Sequence, residues 1–351
     1  ATRPVLGSAV QAELNLAQIE VATPVCDSLD VLEAELRRAR TALAAGAATR
    51  NSAIAATGSH PCAQWVNQAI TPADRYLGLE EDYQQLAREQ LICGCHVHVG
   101  IDDPDRAIRI MDRVRSWVPV LLAFAANSPY WQGVDTGYAS YRTQVFDRWP
   151  TAGPAPLCGD RAGYERMVSE LAEVGMIADE TYVYWHVRPS SQYPTLELRA
   201  ADVALSVDDA VTLAALFRAL VRTCDRHLDR EPCVFPSHEL VRAATWRASR
   251  YGLDGSLIDL RCGDEVPAAD MVRRLLTHVR PDCDSHDEWR NLVDRVEATI
   301  ARGNGAQRQR DAFAQTGSLW GVTQMTVQQS TRRPLPLVMR AADDPCAGAF
   351  A

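Results

Sequence analysis

Lysine is absent from this chain: all 36 of its basic residues are arginine. The absence excludes whole classes of chemistry. A Schiff-base enzyme needs a lysine amine. The P-loop and the protein kinase site both place a lysine on phosphate. Any nucleotide chemistry here must therefore neutralise phosphate with arginine and metal ions. Positive charge is also in deficit, with 45 acidic residues and a net charge of −9. This argues against nucleic acid or an anionic membrane as the main partner. Long apolar runs are missing as well. The longest, WVPVLLAFAA at 117–126, contains Pro119 and falls far short of the ~20 residues a membrane helix needs. The N-terminus, ATRPVLGSAV, has neither the charged-then-apolar layout of a secretory signal nor an initiator methionine. Ten cysteines in 351 residues are too dilute for a disulfide framework, and no C-x-x-C occurs. These features predict a reduced, cytoplasmic enzyme whose cysteines are mostly small buried hydrophobes.

What is present is an ordinary globular composition, 47% apolar, in a chain whose length sets a prior of about two domains. No internal repeat or low-complexity linker interrupts it. The spacing predicts a helix over 29–45, with Leu29, Leu32, Leu36 and Leu43 on one face and Asp27 or Ser28 as cap. Another begins at Pro104 after Asp103. SVDD at 206–209 reads as a capping box ahead of Leu213, Leu216, Phe217, Leu220 and Val221, and SHDE at 285–288 does the same ahead of Trp289, Leu292, Val293, Val296 and Ile300. Strand-like stretches lie at 15–22, 54–57, 91–101, 181–188 and 195–201. Without regular βα alternation, this order predicts an α+β fold with an antiparallel or mixed sheet. Segment 128–160 is long, aromatic and glycine-rich; its tryptophans and tyrosines predict an ordered functional loop.

CGCHVHVG, at 93–100, packs two cysteines and two histidines into six positions. Strand alternation sends Cys93, Cys95 and Val97 one way, and Gly94, His96 and His98 the other. A Cys2His2 zinc knot cannot close without breaking the strand. The two histidines share a face, with Cβ atoms about 7 Å apart by strand rise, and could meet a ligand if carboxylates arrive from neighbouring strands. Two stretches can supply them. LNLAQIEVATPV at 14–25 puts Gln18 and Glu20 on one face, and TLELRAAD at 195–202 puts Glu197 and Arg199 opposite Leu196 and Leu198. YVYWHVRP similarly aligns Tyr182, Tyr184, His186 and Arg188. Each feature has a plain alternative: a solvated strand face for the histidines, a structural ion pair for Glu197 with Arg199, an exposed position for Glu20. The same anomaly on three strands is what favours a site. GNGAQRQRD at 303–311 reads either as a helix N-terminus that receives an anion or as a glycine turn before a solvated helix, with Gln307, Arg308 and Arg310 the residues in question.

CGCHVHVGI, LLAFAANSPYWQGVDTGYASYRTQVFDRWPTAG, RPSSQYPTLELRAAD, WRASRYGLDG and GAQRQR, in this order between about Glu13 and Arg310, together resemble the glutamate–cysteine ligase type 2 family of YbdK-like carboxylate–amine ligases. The resemblance implies a glutamine-synthetase-like fold, an antiparallel sheet funnel flanked by helices. It implies ATP, Mg²⁺ (or Mn²⁺), an acyl phosphate, a glutamate-like carboxylate and an amine such as cysteine, in a homo-oligomer. By position it implies Glu20, His98 and Glu197 as the metal-facing set with His96 beside them. Arg199 becomes a phosphate or carboxylate contact, Arg142 and Tyr138 substrate-loop residues shaped by Asn127 and Trp131, and Gln307 and Arg308 nucleotide or substrate contacts. Three departures stand out. The family's opening strand of type G-V-E-E-E-F is not found in this chain, His186 stands where many members have aspartate, and Ala244 where many have asparagine.

Three functional readings follow: an ATP- and Mg²⁺-dependent carboxylate–amine ligase, a zinc hydrolase built on His96, His98 and a carboxylate, and a degenerate member that binds a metabolite or nucleotide without turnover. Candidate residues at 20, 98 and 197 span half the chain. One catalytic domain over 1–351 is therefore expected, with a sheet-rich part to 205, a helical part over 206–316 and a C-terminal tail over 317–351.

Overall fold

A computed structural model describes residues 6–228, 235–283 and 285–331. The fold is α+β, with antiparallel sheets and flanking helices. The sheet that matters most has three short strands: β3 (Val97–Gly100), β6 (Val187–Pro189) and β7 (Thr195–Leu198), ordered β3-β7-β6 with both pairings antiparallel. β1 (Val10–Ala12) and β2 (Ile19–Val21) form a hairpin that sets Gln11 opposite Glu20. β4 (Tyr130–Trp131) pairs with β5 (Val134–Asp135), and β8 (Ser256–Asp259) with β9 (Asp264–Pro267). Isolated bridges, Gly94 to Asp202 and Ser59 to Ile92, carry pairing beyond the named strands.

The helix signals convert directly. Ser28 Oγ caps α1 (Leu29–Ala48) at Val31 N. After α2 (Asp74–Tyr83) and the single turn of α3 (Gln85–Arg88), α4 (Pro104–Val114) starts at its proline, with the Asp103 carboxylate accepting from the amides of Asp105 and Arg106. α5 (Val118–Ala125) is apolar all round and buried, as such a helix must be. α6 (Tyr141–Phe146) and α7 (Arg161–Glu173) follow. Ser206 and Asp209 close the expected capping box on α8 (Val207–Arg226), which buries Leu213, Leu216, Phe217, Leu220 and Val221 completely. Each such side chain contributes about 1.5–3 kcal/mol on leaving water. α9 (His238–Tyr251), α10 (Ala268–Val279), α11 (His286–Arg302, capped by Ser285), α12 (Gly305–Thr316) and α13 (Leu319–Thr331) complete the described chain. One buried cluster joins α4, α5, α8, α10 and α11 to the inner face of the sheet through Val187, Leu196 and Leu198. The sheet's other face is thereby freed for polar residues.

Several expectations need correction. Segment 54–57 is not a strand. Its neighbours are side chains: Ala56 N donates to Ser330 Oγ and Ala56 O accepts from Asn127 Nδ2, so no ladder is needed. Part of the expected tail, Leu319–Thr331, is a helix; residues 332–351 lie outside the described residues. Cys62 is disulfide-bonded, against the expectation of reduced thiols throughout. Pairing depends on Cα separation in the fold, which sequence spacing does not reveal. Of the seven free cysteines among the described residues, Cys158 and Cys224 are buried, whereas Cys262 is exposed. Among the described residues, no helix is long and apolar enough to cross a membrane.

Candidate active site

Antiparallel register places His98, Glu197 and Arg188 in one row across β3, β7 and β6. The period-2 pattern of TLEL buries Leu196 and Leu198 in the core and turns Glu197 to the opposite face, where Arg199 follows it. Glu197 itself is 3% exposed. A carboxylate so enclosed must be fully partnered, and it is. Arg199 Nη1 donates to Oε1 at 2.5 Å and Arg188 Nε to Oε2 at 3.1 Å. His96 Nδ1 lies 3.3 Å and His98 Nε2 3.7 Å from Oε1. Burial alone would raise the Glu197 carboxyl, but Arg199, then His96, Arg188 and His98, more than offset it and bring it to about 2.

The histidines sit above this buried anion and keep 29% and 35% of their side-chain surface. They are therefore reachable from solvent while surrounded by enough protein to resist charging. Enclosure first, then the Arg199 cation, pushes His96 well below its ordinary value; enclosure lowers His98 too. Both are neutral at pH 7. His98 is held by Thr195, whose Oγ1 lies 2.8 Å from Nδ1, and packs edge-on to Tyr193. Arg188 also donates Nη1 to the carbonyls of Glu180, Thr181 and Val183, which anchors it. Arg199 is less committed. Its Nε is buried and has no acceptor.

Glu20 reaches the same neighbourhood from the β1–β2 hairpin. Burial, together with the charge of Glu13 and a hydrogen bond shared with it, raises Glu20 to about 7; Arg199 pulls it down and Glu197 pushes it up. The structure thus brings Glu20, His96, His98, Glu197 and Arg199 together. It does not arrange Glu20, His98 and Glu197 as a metal cage: among the described residues no group of three or more His, Cys, Asp or Glu side chains is set to hold a metal ion. The reason is visible at Glu197, whose two oxygens are already occupied by arginine.

The other candidates have structural employment. Arg142 is 3% exposed and donates to the carbonyls of Ala200 and Arg199 at 3.3 and 3.2 Å, behind the site. Gln307 is the reciprocal partner of Asn304 in the capping box of α12 and also donates to Asp254. Arg308 pairs with Asp209 at the start of α8. Tyr138 accepts from Trp246 Nε1 at 3.2 Å and lies under the Arg250 guanidinium. None of these partners belongs to the Glu197 row. Asn127 is buried, and Trp131 packs on Tyr141 in the loop it was expected to shape. Arg310 ties that loop down through Asp135 and the carbonyl of Tyr138.

Sequence reasoning left two contributors out. Arg188 was aligned with His186 but given no role, although its position before the turn to β7 made it a cross-strand neighbour of Glu197. Glu13 sits where the hairpin turns, and short irregular pairing gave no periodicity by which to find it. The position of His186 is also explained: its Nε2 meets Asp147 Oδ1 at 2.7 Å, so the acid comes from the end of α6 instead of from this strand.

The family model described as glutamate-cysteine ligase family 2 matches residues 1–326. A Frankia alni protein named "Putative glutamate--cysteine ligase 2-2" is 44% identical over 325 residues, covering 92% of this chain and 84% of the relative. A Rhodopirellula baltica protein of similar name is 38% identical, covering 86% and 82%. In fold, the chain is similar to a glutamate–cysteine ligase of Francisella tularensis solved in complex with AMP, with a TM-score of 0.65 at 13% identity over 94% of this chain and 83% of that one. A bifunctional glutathione synthetase of Pasteurella multocida gives 0.66 at 13% identity, with 93% of this chain matched to 48% of that one. This chain belongs to glutamate–cysteine ligase family 2 and is an enzyme of the carboxylate–amine ligase class.

Proposed function

We propose that the protein joins the γ-carboxylate of glutamate to the amine of cysteine, consuming ATP through an acyl phosphate, as a single cytoplasmic catalytic domain. The observation that carries this reading is the Arg199 guanidinium, locked through Nη1 onto the buried Glu197 and flanked by His96, His98 and Arg188. A guanidinium fixed before substrate arrives stabilises negative charge that develops on an incoming oxygen. Within the row itself, Arg188 and Arg199 face the single carboxylate of Glu197, with both histidines neutral and the Glu13–Glu20 pair close by.

In this reading the glutamate carboxylate oxygen attacks the γ-phosphorus and ADP leaves. The amine nitrogen then attacks the acyl carbon, and inorganic phosphate departs. Arg199 receives a phosphoryl oxygen, Arg188 and Glu197 keep Arg199 in place, and neutral His96 and His98 line the approach. Glu13 and Glu20 fit Mg²⁺, which takes one or two carboxylates and fills its remaining positions with phosphate oxygens and water. They are a close acid pair, and burial together with the Glu13 charge raises Glu20 to about 7. When bound, the ion would neutralise phosphate charge that lysine serves in other enzymes. Tyr138, Gln307 and Arg308 enter this reading as supports of the loop and helix around the site.

The test is phosphate release from ATP by purified protein. Release that requires glutamate and cysteine together supports the assignment. Nucleotide binding without ADP formation across an amino-acid panel would replace it with the non-catalytic reading, and ATP-independent hydrolysis by protein holding stoichiometric zinc would replace it with the hydrolase.

A further inference from the structure

The peptide unit that carries Arg199 is gripped on both sides. On one, the His186 carbonyl accepts from the amides of Arg199 and Ala200 at 2.8 and 3.1 Å. On the other, the Arg142 guanidinium donates to the carbonyls of the same two residues. Both grips trace back to the short helix α6. Its C-terminal Asp147 holds the His186 ring, which is 1% exposed. Its N-terminal end is held by Asp202, also 1% exposed. Asp202 Oδ2 accepts from Asn127 N and Ser128 Oγ, both at 2.7 Å, and Oδ1 accepts from Ser140 Oγ at 2.8 Å. Ser128 Oγ in turn accepts from the amide of Arg142 at 3.0 Å, and Ser140 is the N-cap of α6.

Two glycines make room for the assembly. A Cβ at Gly58 would lie 2.8 Å from Asp202 Cγ, and one at Gly94 would collide with the Arg142 guanidinium. Asp202 also supplies the foremost opposing charge for buried Arg142, ahead of Asp147. Removing such a partner leaves a buried charge uncompensated, which is strongly destabilising.

We infer that Asp202 is a positioning residue for the ligase reaction: acting through Ser128, Ser140 and Arg142, it fixes the Arg199–Ala200 peptide and so aims the Arg199 guanidinium. The catalytic part of this inference rests on the role proposed for Arg199; the clamp itself does not. Supporting shells of this kind decide whether a catalytic group is precise or merely present.

The experiment compares wild type with Asp202→Asn, Arg142→Met and the double variant, using phosphate release and backbone amide exchange over 197–201. Asp202→Asn should lower kcat about tenfold while the KM values for glutamate and cysteine stay within about twofold. It should also speed exchange at Arg199 and Ala200. The double variant should match Arg142→Met alone, because both changes cut one linkage. Effects that multiply, or unchanged exchange in Asp202→Asn, would overturn the inference. Should Asp202→Asn not fold, Ser140→Ala breaks the same linkage more gently and is read in the same way. Should wild type show no turnover, the proposed function fails, while the exchange rates and their non-additivity still decide the clamp.

Discussion

Replacing Glu197 by glutamine probes both the stability and the electrostatics of the site. The two side chains are nearly isosteric, but the amide has one acceptor oxygen where the carboxylate has two. Whichever way it turns, an NH₂ faces either Arg199 or Arg188. Those guanidiniums lie in side chains only 11% and 9% exposed, so water cannot readily replace the lost acceptor. Removing one partner of a buried, hydrogen-bonded ion pair costs about 3–5 kcal/mol. An independent route gives a similar figure. The shift of Glu197 from 4.5 to about 2 corresponds to about 3 kcal/mol of preferential stabilisation of the charged form. The sign follows from linkage. A carboxyl depressed in the folded state stabilises above its unfolded value and loses that stabilisation as pH falls through the folded value. The relevant window here is pH 4.5 down to 2. Urea unfolding of wild type and Glu197→Gln, repeated across this window, measures both quantities. Wild type should be more stable by about 3 kcal/mol at pH 7, and the two curves should converge on acidification. A difference below about 1 kcal/mol at pH 7, or curves that stay parallel, would show that Glu197 is not the buried counter-ion described here.

Other perturbations read different parts of the site. Arg199→Lys keeps the charge but loses the fork that binds Glu197 with one edge and offers Nε with another; kcat should fall about 100-fold with the fold intact, and a fall below about threefold would remove Arg199 from the chemistry. In metal-free protein Glu20 is raised to about 7, so its contribution is full below 4.5 and fades as pH rises through 7. With allowance for partial exposure this amounts to about 1–2 kcal/mol. Glu20→Gln should flatten that decline, and Mg²⁺ should raise the melting temperature of wild type at pH 8 but not that of the variant; equal Mg²⁺ responses would disconnect Glu20 from the ion. Proton NMR should find the rings of His96 and His98 neutral at pH 7, both titrating below 6.5; a midpoint above 7 in either would contradict the arginine-rich field.

How much of this was legible depends on which force set each feature. Leu196, Glu197, Leu198 and Arg199 alternate, and alternation survives any change of context, so the core face and the site face of β7 could be read directly. Ser28, Asp103, Ser206 and Ser285 cap helices by local hydrogen bonds, which sequence also records. Gln307 has a local duty that the sequence also records. An Asn followed three residues later by Gln before a helix is the pattern of a capping box, and Asn304 and Gln307 form one at the start of α12. Arg142 is a different case. Its partners, the carbonyls of Arg199 and Ala200, lie more than fifty residues away, and no local pattern says which carbonyls an arginine will meet. The same holds for Ala56, whose backbone bonds go to Asn127 and Ser330 instead of to a strand. Sequence shows where a side chain points along its own element; long-range packing decides what it points at.

Arg199 shows what a guanidinium can do at this site that a lysine could not. In the proposed reaction one side chain keeps a buried carboxylate company and also offers a directed donor to a reacting oxygen. An ammonium is a single point from which three protons radiate, and one drawn onto Glu197 would be spent there. A guanidinium separates the two duties on different edges of one rigid plane: Nη1 donates to Glu197, and the buried Nε has no acceptor. The buried Glu197 orients this cation at the cost of cancelling one charge, and Arg188 shares the carboxylate through its other oxygen. The histidines complete the balance by staying neutral. A protonated ring beside two guanidiniums would compete for Glu197 and loosen the grip on Arg199. Each charge on the row is therefore answerable to its neighbours, and a change at any one should be felt first in the aim of Arg199 Nε.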